Sequence, residues 1–354
     1  MDIEPLTHYL NRFLSIMPLR HLSSICEKSW VISPEEESYF PPAICMQAYK
    51  DFNLKTVDGI SLKEEVNRVS GGRVRHSATI AYQINQAKLL SGILYKKNFK
   101  LRLTSNKESK LNFYGVKAEH KEGLLASSWS SNQYFGHWIK DECPKLLTAS
   151  AMGIQAISCE SKLYSHRAGY KAVFKLNSVP VERAIFERLI VLSRENLNKY
   201  RRQRFCQLRE LVLNGTREIV GNQYIYLKRG NAGAAGRGIS NEEQLLEKLL
   251  EYGFVIIEPE KLTVDEILQQ CVHAKIIMGI EGSAMNHAFL SLKDSGTMLC
   301  LVPEYRFNNP FASYCAAVGL NYGFIVGKTS LGGFEVDLAD VENTLKFVAK
   351  NTVL

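Results

Sequence analysis

After Gly221 the apolar and polar positions fall into alternating blocks of strand and helix length. Tyr224–Leu227 is a short apolar run bounded by polar residues and predicts a strand. Ser240-Asn-Glu-Glu243 has the form of a capping box and opens a predicted helix to Glu251, with Gly253 as its stop. Strands are then predicted at 254–257, 275–278 and 297–302, and helices at 264–272, 284–292 and 310–318. Strands and helices alternating at this spacing imply α/β structure: a parallel sheet with helices on both faces. Ligands of such sheets bind outside the carboxyl ends of the strands.

The first half is less regular. A helix is predicted from Tyr134 to about Met152, with Pro144 marking a kink or a fresh start. Ile185, Leu189 and Leu192 recur at helical spacing, so the whole stretch 181–213 reads as a charged helix linking two domains. Residues 1–123 show no clear pattern; Pro34, Pro41 and Pro42 interrupt them. The expected division is 1–195, an N-terminal domain; 196–219, a helical connector; 220–335, a C-terminal domain built on the parallel sheet; and 336–354, a C-terminal helix.

Composition narrows the function classes. A chain of 354 residues with 45% apolar and 23% charged residues is globular and long enough for two cores. The net charge of +8 suits an anionic ligand or an anionic membrane surface and is low for a nucleic-acid binder. The eight cysteines form no C-x-x-C pair, and Cys271 and Cys300 lie in apolar segments, so reduced thiols in a cytoplasmic setting are expected. No apolar run approaches a membrane span. Attachment, if any, is expected to be peripheral, through Lys199–Arg204 and the basic stretch 96–110; the alternative for both is a solvated face.

Three stretches carry candidate chemistry. Arg229 and Arg237 flank a Gly-rich loop that leads into a helix, where guanidinium forks match phosphate oxygens. The spacing fits neither G-x-G-x-x-G nor the P-loop, and a solvated loop is the alternative. Gly279-Ile-Glu-Gly-Ser-Ala-Met-Asn-His287 sits at a predicted strand-to-helix turn. There Gly282 permits close approach, Ser283 and Ala284 offer backbone N–H groups, and Glu281 can accept from sugar hydroxyls. A tight turn capped by Ser283 is the alternative. In Tyr134-Phe-Gly-His-Trp-Ile-Lys-Asp141, His137 and Asp141 share a helix face as an acid/base pair, and Trp138 is a surface on which a sugar can stack. A structural His–Asp pair over a core tryptophan is the alternative. No D-x-D, H-E-x-x-H or G-x-S-x-G occurs, so a metal-dependent sugar-nucleotide site, a zincin and an α/β-hydrolase lack support.

Taken in order, these stretches resemble glycosyltransferase family 61. The segment 132–147 resembles its aromatic-x-His-Trp…acid-x-x-Pro-x-Leu motif, with Asp141 at the acidic position. The segment 226–243 resembles its strand–Arg…Arg…Asn-Glu motif. The segment 276–286, ending at Asn286, resembles its Gly-x-His-Gly-Ala…Asn motif, with Glu281 in place of the histidine. The resemblance covers roughly residues 125–330. It implies a GT-B architecture of two Rossmann-like domains, with inverting transfer that needs no metal or other cofactor. The donor would be a nucleotide diphosphate sugar held by Arg229, Arg237, Glu281, Gly282, Ser283, Ala284 and Asn286. The acceptor would be a glycan or lipid-linked glycan, with Asp141 as base, His137 as its partner and Trp138 against the acceptor. The setting implied is surface polysaccharide biosynthesis. The rival expectation is a phosphate- or glycan-binding family member without turnover, for which the replacement at 281 speaks.

Overall fold

The computed structural model describes residues 21–57, 59–105, 118–159, 165–193, 196–216, 221–230 and 237–351. The chain is mixed α/β and folds as two units. One holds Arg75–Phe205 with the described residues up to Glu36; the other holds Glu37–Val74 and the chain from Cys206 onward.

The second unit is built on the predicted parallel sheet. Strands Val255–Ile257, Tyr224–Leu227, Ile276–Ile280, Thr297–Pro303 and Asn321–Ser330 lie side by side in that order, all parallel. In chain order this is 2-1-3-4-5, so the direction of winding reverses between Tyr224–Leu227 and Ile276–Ile280. A crevice at the carboxyl ends opens at such a reversal. Ile276–Ile280 and Thr297–Pro303 are buried at every residue, which requires cover on both faces. On one face Leu245 and Leu249 of helix Glu242–Glu251, with Val341 and Leu345 of helix Leu338–Asn351, share a core with Tyr226, Met278, Leu299 and Ile325. The segment 37–74 joins this unit through Ile44, which bridges to Gly323.

The helix after the Gly-rich loop differs from expectation at its start. It begins at Glu242 without a side-chain cap. Asn241 is spent elsewhere: its amide donates to Val336 O at 2.8 Å and accepts from Val336 N at 3.1 Å. Capping boxes occur instead at Ser61/Glu64 and Thr263/Glu266.

The first unit carries an eight-stranded mixed sheet. Its centre is Arg183–Leu192, antiparallel to Thr79–Leu90 and parallel to Ala118–Leu125. The helix expected over 181–213 is therefore a strand in its first part, and helix Lys199–Gly215 begins only afterwards. The physical reason is burial on both sides. Ala184, Phe186, Leu189, Ile190, Val191 and Leu192 are all buried, and the β-branched pair at 190–191 suits a central strand. A spacing of three and four residues among apolar positions arises by chance in such a strand.

Helix Lys199–Gly215 engages part of the basic run Lys199–Arg204 within the fold. Arg201 is buried, Arg202 pairs with Glu36 at 2.8 Å, and the Arg204 guanidinium lies over the Tyr200 ring. Within 96–110, residues 106–110 lie outside the described residues; Lys96 pairs with Glu27 at 3.6 Å. Among the described residues no helix is long and apolar enough to cross a membrane.

Candidate functional site

Two side-chain constellations stand out, one in each unit. The first is assembled at the carboxyl ends of three adjacent parallel strands in the second unit. Arg229 follows Tyr224–Leu227, Glu281 follows Ile276–Ile280, and Arg306 follows Thr297–Pro303. This is the side of the sheet where the winding reverses. Gly282 lies directly under two guanidinium groups: a β-carbon there would sit 3.7 Å from Arg229 Nη1 and 3.8 Å from Arg237 Nη1. Absence of a side chain at 282 leaves that space to a ligand. The intervening residues 231–236 of the Gly-rich loop lie outside the described residues.

Glu281 is buried and held on both oxygens. Asn308 Nδ2 donates to Oε1 at 3.2 Å, and Arg306 Nε lies 3.7 Å from Oε2. Burial, followed by the neighbouring charges of Arg229 and Arg306, holds the Arg237 guanidinium below its ordinary range. A guanidinium so placed stays charged and gains from an anion. The charges of Arg229, Arg306 and Glu281 all act on Arg237, and the Glu260 carboxylate lies against Gly230, beside Arg229. Ser283 is exposed, and its carbonyl accepts from Asn286 Nδ2 at 2.7 Å, so Asn286 fixes the turn; it is itself buried.

Arg306 and Asn308 are absent from the sequence expectations. Their loop is pinned from beneath by the segment 37–74. Buried Glu65 accepts from Asn309 N at 2.6 Å, Lys55 N donates to Glu304 O at 2.7 Å, and Phe307 N donates to Lys55 O at 2.6 Å. Burial pushes the Glu65 carboxyl up, against the opposing charge of Arg68. The signal for Arg306 was present: it stands three residues after a strand of the parallel sheet, as Arg229 stands two after its own.

The second constellation lies in the first unit, beyond the carboxyl end of Ala118–Leu125. The predicted helix from Tyr134 is there, but Trp138–Glu142 forms one wide π-helical turn between Phe135–His137 and Cys143–Ala151. Such turns recur at functional sites. The defect has a cause, because Pro144 has no N–H for the carbonyl of Lys140. Arg201 Nη2 fills that vacancy at 2.9 Å and also donates to Asp141 Oδ1 at 2.7 Å. Asn198 anchors the arginine: it accepts from Arg201 N at 3.2 Å and donates to Thr79 Oγ1 at 2.8 Å.

His137 and Asp141 meet, Nδ1 to Oδ2 at 2.7 Å. Burial alone would push the Asp141 carboxyl up. The hydrogen bond from His137 and the charge of Arg201 outweigh it and hold the group well below the usual carboxylate range. An ionised carboxylate only accepts, so Nδ1 of His137 carries a proton, and in the neutral imidazole Nε2 then presents a lone pair. The His137 side chain is 43% exposed, against 23% for Asp141.

Trp138 does not fit the acceptor role expected of it. It is fully buried, with Arg167 5.2 Å from its ring centroid and Phe135 stacked beside it. Its neighbour Glu142 is buried too, accepting from Arg167 Nη2 at 2.8 Å and Ser131 Oγ at 2.9 Å. The one aromatic residue of the π turn thus belongs to the core. Among the described residues no group of three or more His, Cys, Asp or Glu side chains is placed to hold a metal.

Residues 135–298 match the family described as Glycosyltransferase 61. No curated protein matches the chain.

Proposed function

Because the chain carries a glycosyltransferase family 61 domain over residues 135–298 and is a glycosyltransferase, we propose that it moves a sugar with inversion, without a metal, from a nucleotide diphosphate sugar to a glycan or lipid-linked glycan. The observation that carries the donor reading is the arginine cluster around Glu281 and Gly282. Clustered guanidinium groups suit a diphosphate, whose charge grows as the sugar leaves. Arg229, Arg237 and Arg306 bind it, Asn286 and Asn308 hold the turn and Glu281 in place, and Gly282, Ser283 and Ala284 line the approach.

His137 is the base in this reading. The acceptor hydroxyl gives its proton to Nε2 while its oxygen attacks the anomeric carbon on the face opposite the diphosphate. The bond from that carbon to the diphosphate oxygen breaks, and its electron pair leaves with the nucleoside diphosphate. Asp141, engaged on both oxygens and strongly acidic, orients the imidazole and compensates its charge. The role of base first given to Asp141 thus passes to its partner. The chain is taken as a GT-B enzyme, with the donor in the second unit and the acceptor in the first. The setting we propose is surface polysaccharide assembly at the cytoplasmic face of a membrane, and pelleting with anionic vesicles at low salt tests it.

The direct test is a panel of nucleotide sugars incubated with the purified full chain. A donor that raises the melting temperature and is slowly hydrolysed supports the reading. If no member of the panel is bound or consumed, the reading fails.

A further inference from the structure

With Trp138 buried, the first unit still presents aromatic surface beside His137. Trp129 is 44% exposed and Tyr134 52% exposed, although both are large and apolar enough to be buried. Their rings touch edge-on, with centroids 6.5 Å apart at 69°. Tyr134 in turn lies 5.9 Å from the His137 ring. The three rings form a continuous run that ends at the imidazole.

The turn that carries them is rigid. Ser128 N donates to Ser131 Oγ at 2.9 Å and Ser131 N to Ser128 Oγ at 3.1 Å. Tyr134 N donates to Ser130 O at 3.0 Å. Asn132 Nδ2 ties the turn to Leu103 O at 2.7 Å, and Ser131 Oγ ties it to buried Glu142 at 2.9 Å. Two exposed rings held this firmly are pre-organised for a ligand, since little freedom is lost on binding.

We propose that Trp129 and Tyr134 form the acceptor subsite and stack on a neutral pyranose ring of the acceptor glycan; this rests on the reading that His137 receives the proton of the acceptor hydroxyl. A pyranose presents one face of C–H groups and an equatorial rim of hydroxyls. Two rings nearly at right angles cover one face and one edge of such a body. A flat nucleobase would call for parallel rings. Ser130, Gln133 and Tyr134, all in this turn and each at least partly exposed, carry uncharged hydrogen-bonding groups. The nearby guanidinium of Arg201 is buried and held by Asp141 and the Lys140 carbonyl, and Lys145, whose charge also reaches Asp141, is a point charge without a fork. Charge therefore favours a neutral sugar over a phosphorylated lipid headgroup.

The test uses the full chain on an array of immobilised neutral oligosaccharides (glucan, xylan, galactan and chitin fragments) beside acidic ones. The wild type retains a subset of the neutral glycans. Trp129→Ala and Tyr134→Ala each cut that retention by roughly tenfold or more, while Trp129→Phe keeps most of it. Both positions are half-exposed, and an unchanged melting temperature shows that the variants fold. Retention by neither the wild type nor any variant overturns the proposal. So does retention that both alanine variants preserve, or retention of acidic glycans only. The subsite and the transfer reading fail separately: a wild type that binds neutral glycans through these rings but consumes no nucleotide sugar keeps the subsite and loses the transferase.

Discussion

Arg201 and Asp141 are joined by a 2.7 Å hydrogen bond, Nη2 to Oδ1, and the same nitrogen reaches the Lys140 carbonyl, to which Pro144 has no N–H to offer. One guanidinium thus closes a helix defect and fixes the carboxylate that orients His137. Arg201→Lys keeps the charge and loses the planar fork. We expect a loss of stability of roughly 1–3 kcal/mol, the cost of a buried polar partner left unsatisfied. Urea unfolding measures it. A midpoint and slope equal to the wild type would show that the lysine reaches both acceptors.

The acidity of Asp141 makes this pair sensitive to pH in a definite direction. Its carboxyl in the folded protein lies below the ordinary ~3.9 of an unfolded aspartate. A carboxyl depressed by folding contributes stability that is fully present above the unfolded value and is lost as pH falls through the folded one. Asp141→Asn should therefore melt below the wild type at neutral pH, and the difference should shrink as the pH is lowered past about 4. A constant difference across that range would mean that the carboxylate charge contributes nothing.

For the second unit, the three arginines make a graded prediction. Replacing Arg229, Arg237 or Arg306 by Ala should weaken nucleoside diphosphate binding by roughly 1.5–3 kcal/mol each, the range for hydrogen bonds to charged groups. Lysine should rescue only partly. Titration calorimetry at fixed salt reads this directly. An Arg306→Ala variant with wild-type affinity would remove the 304–309 loop from the site.

Glu281 offers the opposite sign. It offsets one of the three guanidinium charges through Arg306 at 3.7 Å. Glu281→Gln keeps an acceptor for Asn308 and raises the local charge, so nucleoside diphosphate should bind about tenfold tighter and inhibit more strongly as a product. Weaker binding would assign Glu281 to the sugar or ribose hydroxyls instead.

Legibility in the sequence followed the physical strength of the signals. The parallel sheet was readable because its strands are short, apolar and punctuated by helices of regular length. Arg229, Arg237 and Gly282 were readable because chain order alone puts them at strand ends. Arg306 and Asn308 were within reach of the same rule but lack a glycine-rich setting to draw attention. The strand Arg183–Leu192 was misread because two-sided burial fills the positions that a helix period would leave polar. Arg201 could not be found from its surroundings: in sequence it belongs to a basic turn, and only the fold brings it to the Lys140 carbonyl 61 residues earlier, which Pro144 cannot serve. Trp138 was misassigned for a related reason, since exposure is set by the π turn and by Arg167 rather than by residue type.

The proton acceptor itself is open to a comparison of two variants at one position. Arg201 only donates, so in Asp141→Asn the amide oxygen must face Arg201, as Oδ1 does now. The amide nitrogen then faces His137 Nδ1 and donates to it. The imidazole proton is driven onto Nε2, and the lone pair needed for catalysis is lost. Asp141→Ala imposes no tautomer; it only frees the ring to turn. If His137 is the base, Asp141→Asn should therefore be slower than Asp141→Ala, and His137→Ala should lose ~10²–10⁴-fold, the usual share of general-base catalysis. If Asp141 were the base, both variants at 141 would lose the same amount. Single-turnover rates with saturating donor separate the two cases, and Asp141→Asn at or above the rate of Asp141→Ala would return the role to the carboxylate or move it to another residue.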